Sequence, residues 1–232
     1  MKKKPLVAIC LVFILGLTVL LYPVVSAFIS KKTSTAAVER YRAAVEHIDT
    51  DRRDAMLAAS WAYNKGLAEG SNHEAYETLL NVNGIMAYLE IPKLKIYLPV
   101  YHGVSEETLQ QGVGHLPETS LPVGGAGTHA VLSAHCGLPN ARLFTDLDQL
   151  EMGDRFLIHV LGQTLCYEVD RVEVVLPYEV GALAIASGRD DVTLLTCTPY
   201  GINSHRLLVR GARVPDAPKH SAEGGGPTLR EE

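Results

Sequence analysis

The stretch Thr193-Leu194-Leu195-Thr196-Cys197-Thr198-Pro199 is a β-branched and leucine-rich run that ends in a cysteine. Such residues favour a strand, and Pro199 cannot continue a central strand because it lacks the backbone donor of a sheet ladder. Cys197 is therefore predicted at or near a strand end, where a side chain can face a cleft. A cysteine considered alone is more often a small buried apolar residue, so its neighbours decide between the two interpretations.

An arginine follows this strand at the start of the next one. The polar loop 201–204 separates Cys197 from Arg206, which opens another apolar run. A hairpin here would place the guanidinium of Arg206 beside the sulfur of Cys197. A cation in that position stabilises a thiolate and any oxyanion that forms when the thiolate attacks a carbonyl. The alternative for Arg206 is an exposed charge at the edge of the sheet.

A nucleophilic cysteine also needs a proton donor and acceptor, and the chain has nine histidines. His135 follows an apolar run and precedes a turn marked by Gly137 and Pro139, which is the same strand-end setting as that of Cys197. The context is weaker for His102, His115 and His205. His135 is the preferred acid and base, although any one of these histidines could simply be packed or exposed.

From residue 85 onward the sequence consists of short apolar runs separated by glycine and proline. Strands are predicted at residues 85–91, 95–102, 129–133, 155–160, 164–175, 192–197 and 206–214. Short helices are predicted at residues 106–111, 143–150 and 181–187. Seven or eight strands with few helices predict a mainly β fold, a closed or nearly closed β-barrel.

The N-terminal part of the chain has a different texture. Residues 5–29 form an uncharged, mostly apolar run flanked by lysines, long enough to cross a hydrocarbon core of roughly 30 Å. Residues 1–32 are therefore predicted to be a transmembrane anchor or signal; an uncleaved anchor is favoured because the run exceeds the usual apolar signal segment of about 7 to 15 residues. Residues 33–80 are predicted to be a helical stalk, because Val38, Tyr41 and Val45 recur at helical spacing.

Residues 81–214 are predicted to be the catalytic barrel. Residues 215–232 contain three prolines and the run Gly224-Gly225-Gly226, and a disordered tail is predicted there. The chain of 232 residues carries a formal net charge of −5 and has no lysine or arginine block beyond its first residues, so nucleic acid is excluded as a partner. Neither a metal nor a cofactor is predicted.

Four cysteines are present, and Cys10 lies in the apolar run. The other three, Cys136, Cys166 and Cys197, cannot all pair within one chain, so at least one is a free thiol or pairs elsewhere. A disulfide between Cys136 and Cys166 is one interpretation, and two unpaired thiols are the preferred one.

Residues 193–197 resemble the Thr-Leu-x-Thr-Cys signature of sortases, whose arginine on the next strand corresponds to Arg206. Residues 87–92 (Ala-Tyr-Leu-Glu-Ile-Pro), 98–103 (Leu-Pro-Val-Tyr-His-Gly) and 143–147 (Leu-Phe-Thr-Asp-Leu) resemble the pilus-type class C branch. The similarity spans residues 85–214. It implies a sortase-like closed barrel with an N-terminal helical extension. The catalytic residues it implies are Cys197, His135 and Arg206, and the substrate-binding residues are Leu195, Thr196 and Thr198.

The resemblance also implies the reaction. A sortase cleaves a Leu-Pro-x-Thr-Gly-like sorting signal through a cysteine thioester and transfers it to an amine, either a pilin lysine or a cell-wall precursor. The implied partners are surface or pilin proteins bearing that signal, with the catalytic domain outside the cell and the N-terminal segment in the membrane. The alternatives are a hydrolytic cysteine protease, in which water resolves the thioester, and a non-enzymatic surface module.

Two features depart from the pilus-type pattern. No proline occurs between Pro23 and Pro92, so the Asp-Pro-aromatic anchor of the usual lid is absent from this sequence. A second apolar span near the C-terminus is absent as well. Both departures concern the pilus-polymerising role more than the chemistry.

Overall fold

The computed structural model describes residues 3–70, 76–138 and 141–215, and their strands form one closed barrel. The strands are β1 (Ile85–Ile91), β2 (Ile96–His102), β3 (Val113–His115), β4 (Thr128–Ser133), β5 (Arg155–Val160), β6 (Gln163–Val175), β7 (Asp190–Thr198) and β8 (His205–Arg213). Around the barrel their order is β1-β2-β3-β4-β7-β8-β6-β5, and pairing of β1 with β5 closes it. The predicted closed barrel of seven to eight strands is confirmed.

The barrel encloses a hydrophobic core, which is formed by the alternate side chains of its strands that face inward. In β5, Phe156, Ile158 and Val160 are fully buried while the residues between them are less so, because successive strand residues face opposite sides of a sheet. Gly211 of β8 lies against Phe156, and a Cβ at that position would come within 2.6 Å of the ring. A side chain at position 211 would therefore displace the core aromatic ring.

Two neighbouring pairings position the functional side chains. β4 runs parallel to β7, with Ser133 opposite Leu195, and β8 runs antiparallel to β7. β6 pairs with the other side of β8, with Val175 opposite Arg206. The ends of β4, β6 and β7 and the start of β8 therefore meet at one end of the barrel.

Two long helices precede the barrel, α1 (Lys3–Glu46) and α2 (Thr50–Ala68). They separate at Asp49, whose side chain caps α2 by accepting a hydrogen bond from the backbone N–H of Arg52 at 2.8 Å. A side-chain cap of this kind fixes where a helix begins, so α1 and α2 are separate helices.

The end of α1 packs on the barrel. Val38, Tyr41 and Val45 are buried, and the Tyr41 hydroxyl donates to the Met86 carbonyl and accepts from the Leu161 N–H, each at 3.0 Å. Helix α2 is joined through Asn64, whose amide donates to and accepts from the backbone of Leu121. These buried polar contacts attach both helices to the barrel.

The N-terminal part of α1 stands apart from the barrel, with exposed apolar side chains over residues 11–29. By length and composition this helix is able to cross a membrane, and a signal sequence near an N-terminus has the same properties. The predicted C-terminal tail lies outside the described residues from position 216 onward.

Three local features differ from the predictions. Strand β3 was not predicted, because three residues are too few to show an alternating pattern. In place of the helices predicted at 143–150 and 181–187 there are single 3₁₀ turns at Leu147–Gln149 and Val180–Leu183. The third short helix, α3 (Glu106–Gln111), lies where it was predicted.

Candidate active site

Cys197 and Arg206 lie directly opposite each other in the ladder between β7 and β8. Cross-strand partners of this kind hold their Cβ atoms about 4.5 to 5.5 Å apart, within reach of a long arginine side chain. Both residues are half-buried, so each is accessible from the end of the barrel. The hairpin predicted from the sequence is confirmed.

The guanidinium of Arg206 is oriented by the loop that joins the two strands. Its Nη1 donates to the carbonyls of Asn203 at 3.2 Å and His205 at 3.0 Å. Among the described residues, no carboxylate lies within ion-pair distance of Arg206, and Nε and Nη2 make no hydrogen bond. Its charge and two donor groups are therefore available to an anion near Cys197.

The parallel pairing of β4 with β7 brings His135 to the same end of the barrel. Beyond the last strand pair, the Ala134 N–H donates to the Leu195 carbonyl at 3.2 Å, and the Thr196 hydroxyl donates to the Ala134 carbonyl at 2.7 Å. Continuing the register of Ser133 and Leu195 by two residues would pair the backbone of His135 with that of Cys197. The His135 carbonyl accepts from the Phe144 N–H at 3.1 Å, which holds its backbone from the other side.

The side chain of His135 is 25% exposed, and its Nε2 faces the carboxylate of Glu106 at 3.5 Å. That atom is itself buried and makes no hydrogen bond to any described residue. The separation is that of an ion pair rather than of a hydrogen bond.

Three other histidines, His102, His115 and His129, are held by hydrogen bonds within the protein. His115 is fully buried between the Tyr76 hydroxyl and the Ser120 carbonyl, and burial lowers its pKa to about 4. Burial also lowers the pKa of His102 and of His129, each of which contacts a backbone carbonyl. His115 and His129 are buried, His102 is half-buried, and each of the three rings already contacts a backbone carbonyl.

Of the residues predicted to bind substrate, Leu195 and Thr198 are half-buried beside Cys197. Thr196 is 2% exposed, and its hydroxyl is already bonded to Ala134. Because neighbouring strand residues face opposite sides, Thr196 faces away from the side of Cys197. Its contact joins the strand of the cysteine to the strand of the histidine.

The two other described thiols differ from Cys197 in their surroundings. Burial raises the pKa of Cys136, reinforced by the negative charges of Asp148, Cys197 and Asp146, and burial also raises the pKa of Cys166. Both are unpaired, as preferred from the sequence. A thiol with a raised pKa is a poor nucleophile at neutral pH because little of it is thiolate.

Exposed apolar side chains surround this end of the barrel, and they were not identified from the sequence. Tyr178 and Val180 follow the end of β6, and Tyr200 and Ile202 lie in the loop between β7 and β8; all four are at least 65% exposed. Gly137, with a φ of +82°, lies against the Tyr200 ring, where a Cβ would come within 2.9 Å. The loops after His135 and after Cys197 are thus in contact.

The sequence and the structure match known proteins. A sortase-domain family model matches residues 89–214. Sortase A from Bacillus anthracis is 28% identical over 205 residues, which cover 88% of this chain and 91% of that protein.

Solved structures give closer identities. Sortase C1 from Streptococcus agalactiae is 46% identical, with a TM-score of 0.76, 80% of this chain covered and 98% of that one. Sortase C from Streptococcus pneumoniae is 41% identical, with a TM-score of 0.74, 78% of this chain covered and 97% of that one. A further structure is described as Sortase C1 of GBS Pilus Island 1, and the structural neighbours are class C pilus sortases.

Proposed function

This chain belongs to the sortase family and is a sortase-type cysteine transpeptidase, and we propose that Cys197, His135 and Arg206 are its catalytic residues. The observation that carries the assignment is the pairing of Cys197 with Arg206 across β7 and β8. The adjoining end of β4 supplies His135 to the same place. Leu195, Thr196 and Thr198 remain predicted substrate-binding residues, with Thr196 acting through Ala134.

The substrate is a protein with a Leu-Pro-x-Thr-Gly-like sorting signal. In the first half-reaction the thiolate of Cys197 attacks the threonine carbonyl carbon, a C–S bond forms, and the carbonyl oxygen becomes an oxyanion beside Arg206. When the oxyanion collapses, the Thr–Gly C–N bond breaks and the leaving glycine amine takes a proton from the His135 imidazolium. The products are a thioester and a neutral imidazole.

The second half-reaction reverses these roles. An acceptor amine attacks the thioester carbon and gives its proton to His135, and the C–S bond breaks to release the thiolate. One amide replaces another, so no oxidant or energy source is required.

The acceptor amine is a pilin lysine or a cell-wall precursor. Similarity to sortases named for a pilus island favours the lysine. The exposed apolar residues Tyr178, Val180, Tyr200 and Ile202 offer contacts for the leucine and proline of the signal.

For the whole chain we propose an anchor or signal in residues 1–32, a helical stalk over 33–80 and the catalytic barrel over 81–214. The exposed apolar part of α1 would lie in the membrane and the barrel outside the cell. Lys31 and Lys32 would then flank the membrane on the side of the barrel.

The test is mass spectrometry of the products formed from a sorting-signal peptide. The full chain in detergent is incubated with the peptide and with a pilin lysine peptide, a cell-wall precursor amine or neither. We expect an amide-linked product with at least one amine and little free acid. Free acid as the sole product under all three conditions would support a hydrolytic protease instead.

A further inference from the structure

Glu106 lies in the first turn of α3, beside the candidate active site. Ser105 caps this helix by accepting a hydrogen bond from the Thr108 N–H at 3.2 Å. Helix α3 leads into β3, and β3 pairs with β4, the strand that ends just before His135. The chain therefore has a short structured path from α3 to the histidine.

The carboxylate of Glu106 is held in two directions. Its Oε1 accepts a hydrogen bond from Nε2 of Gln110 at 3.0 Å, one turn along the same helix. Its Oε2 faces Nε2 of His135 at 3.5 Å. The hydrogen bond to Gln110 restricts the carboxylate to an orientation that leaves one oxygen toward the imidazole.

The imidazole of His135 lies on the other side of this contact. Its Nε2 is enclosed and, among the residues the structure describes, has no hydrogen-bond partner. A buried polar atom without a partner costs free energy, and an oxygen of Glu106 lies 3.5 Å from this nitrogen. We propose that Glu106 is a positioning residue for His135, whose carboxylate attracts the Nε2–H group so that Nδ1 is the nitrogen that exchanges protons with substrate.

This inference rests on the proposed function, because it assumes that His135 is the acid and base. It adds a residue that never touches the reacting atoms. A carboxylate near Nε2 selects the Nε2–H tautomer and orients the ring, which leaves Nδ1 as the nitrogen that exchanges protons with substrate. Because 70% of the Glu106 side chain is exposed, water screens this effect and it is moderate.

The test compares Glu106→Gln with Glu107→Gln in the full chain, using steady-state cleavage of a sorting-signal peptide. Glu107 is the matched control, since it is an exposed carboxylate in the same helical turn and forms no ion pair with any described residue. For Glu106→Gln we expect kcat/KM to fall about threefold to tenfold through kcat, with KM little changed.

Rescue and stability measurements separate positioning from a merely structural role. Denaturant unfolding of Glu106→Gln should match wild type, since 70% of the Glu106 side chain is exposed. Glu106→Asp, which keeps the charge, should recover part of the rate. Glu107→Gln should keep the wild-type rate.

His135→Ala is measured in parallel to separate failure of the inference from failure of the proposed function. If His135→Ala is inactive while Glu106→Gln keeps the wild-type kcat, Glu106 has no positioning role and the inference is overturned. If His135→Ala retains activity, the assignment of His135 is itself wrong, and the inference is overturned with it.

Discussion

The hydroxyl of Thr196 donates a hydrogen bond of 2.7 Å to the carbonyl of Ala134. Thr196 precedes Cys197 on β7, and Ala134 precedes His135 at the end of β4. The bond therefore connects the backbones next to the nucleophile and next to the acid and base. Because Thr196 is buried, water cannot replace it.

Thr196→Val keeps the shape of the side chain but leaves the Ala134 carbonyl without this donor. We expect a loss of about 1 to 3 kcal/mol in the free energy of unfolding, together with a fall in kcat. Denaturant unfolding and steady-state kinetics measure the two effects.

The matched control is Thr193→Val, which removes the buried hydroxyl bonded to His129 at 2.7 Å on the same strand. Its stability should fall similarly while kcat stays near wild type. Equal losses of kcat in both variants would show that Thr196 acts through stability alone.

Replacement of Arg206 tests the role of its charge and donors. We expect Arg206→Ala to lower kcat about 100-fold or more, and Arg206→Lys to recover only part of it because an ammonium lacks the planar fork of donors. Single-turnover kinetics with the sorting-signal peptide measure the acylation rate. Arg171→Lys is the control, since Arg171 lies on β6 and pairs with Glu173 at 2.8 Å. An Arg206→Lys rate as high as that of Arg171→Lys would make Arg206 a simple edge charge.

Cys136 follows His135 directly but is expected to be inert. Its raised pKa means that it stays protonated at neutral pH and ionises only at higher pH. Iodoacetamide at neutral pH should therefore label Cys197 first, with labelling of Cys136 increasing as the pH rises. Peptide mapping by mass spectrometry measures both sites, and Cys136→Ala should retain activity; loss of activity in that variant would assign chemistry to the second thiol.

His115 makes folding stability depend on pH. Its pKa is lowered by burial from 6.5 to about 4, so between these values the unfolded chain binds a proton that the folded chain does not. Stability is therefore lost as the pH falls from 6.5 toward 4, by as much as about 3 kcal/mol from this group. Urea unfolding at several pH values, with NMR titration of His115, checks this; a ring that titrates near its ordinary pKa would contradict it.

The sequence predicted best what depends on local pattern. The bounds of β1 and β5 match because each is a short apolar run with glycine or proline near its ends, and the Cys197–Arg206 pairing followed from one short loop. His135 was preferred from its strand-end context, and family resemblance agreed with that choice and added the function. Local pattern and motif together were sufficient for the barrel, while the three catalytic residues remain a proposal.

Contacts between distant segments were not predictable. Nothing near residue 106 indicates that Glu106 approaches His135, because that distance depends on how α3 packs. The buried bond of Thr196 likewise depends on parallel pairing of β4 and β7. The 3₁₀ turn at Leu147–Gln149 is too short for its sequence to be distinguished from a helix end.

The most direct test of the account is to trap the acyl-enzyme. The full chain is mixed with a set of Leu-Pro-x-Thr-Gly peptides that differ at x, and no acceptor amine is added. The reaction is quenched in acid, and the digested protein is mapped by mass spectrometry. The variants Cys197→Ala and Cys136→Ala are measured in the same way. The account predicts a Leu-Pro-x-Thr acyl group on Cys197, present in Cys136→Ala, absent from Cys197→Ala and discharged when an amine is added. An acyl group on another residue, or peptide cleavage that persists in Cys197→Ala, would contradict it.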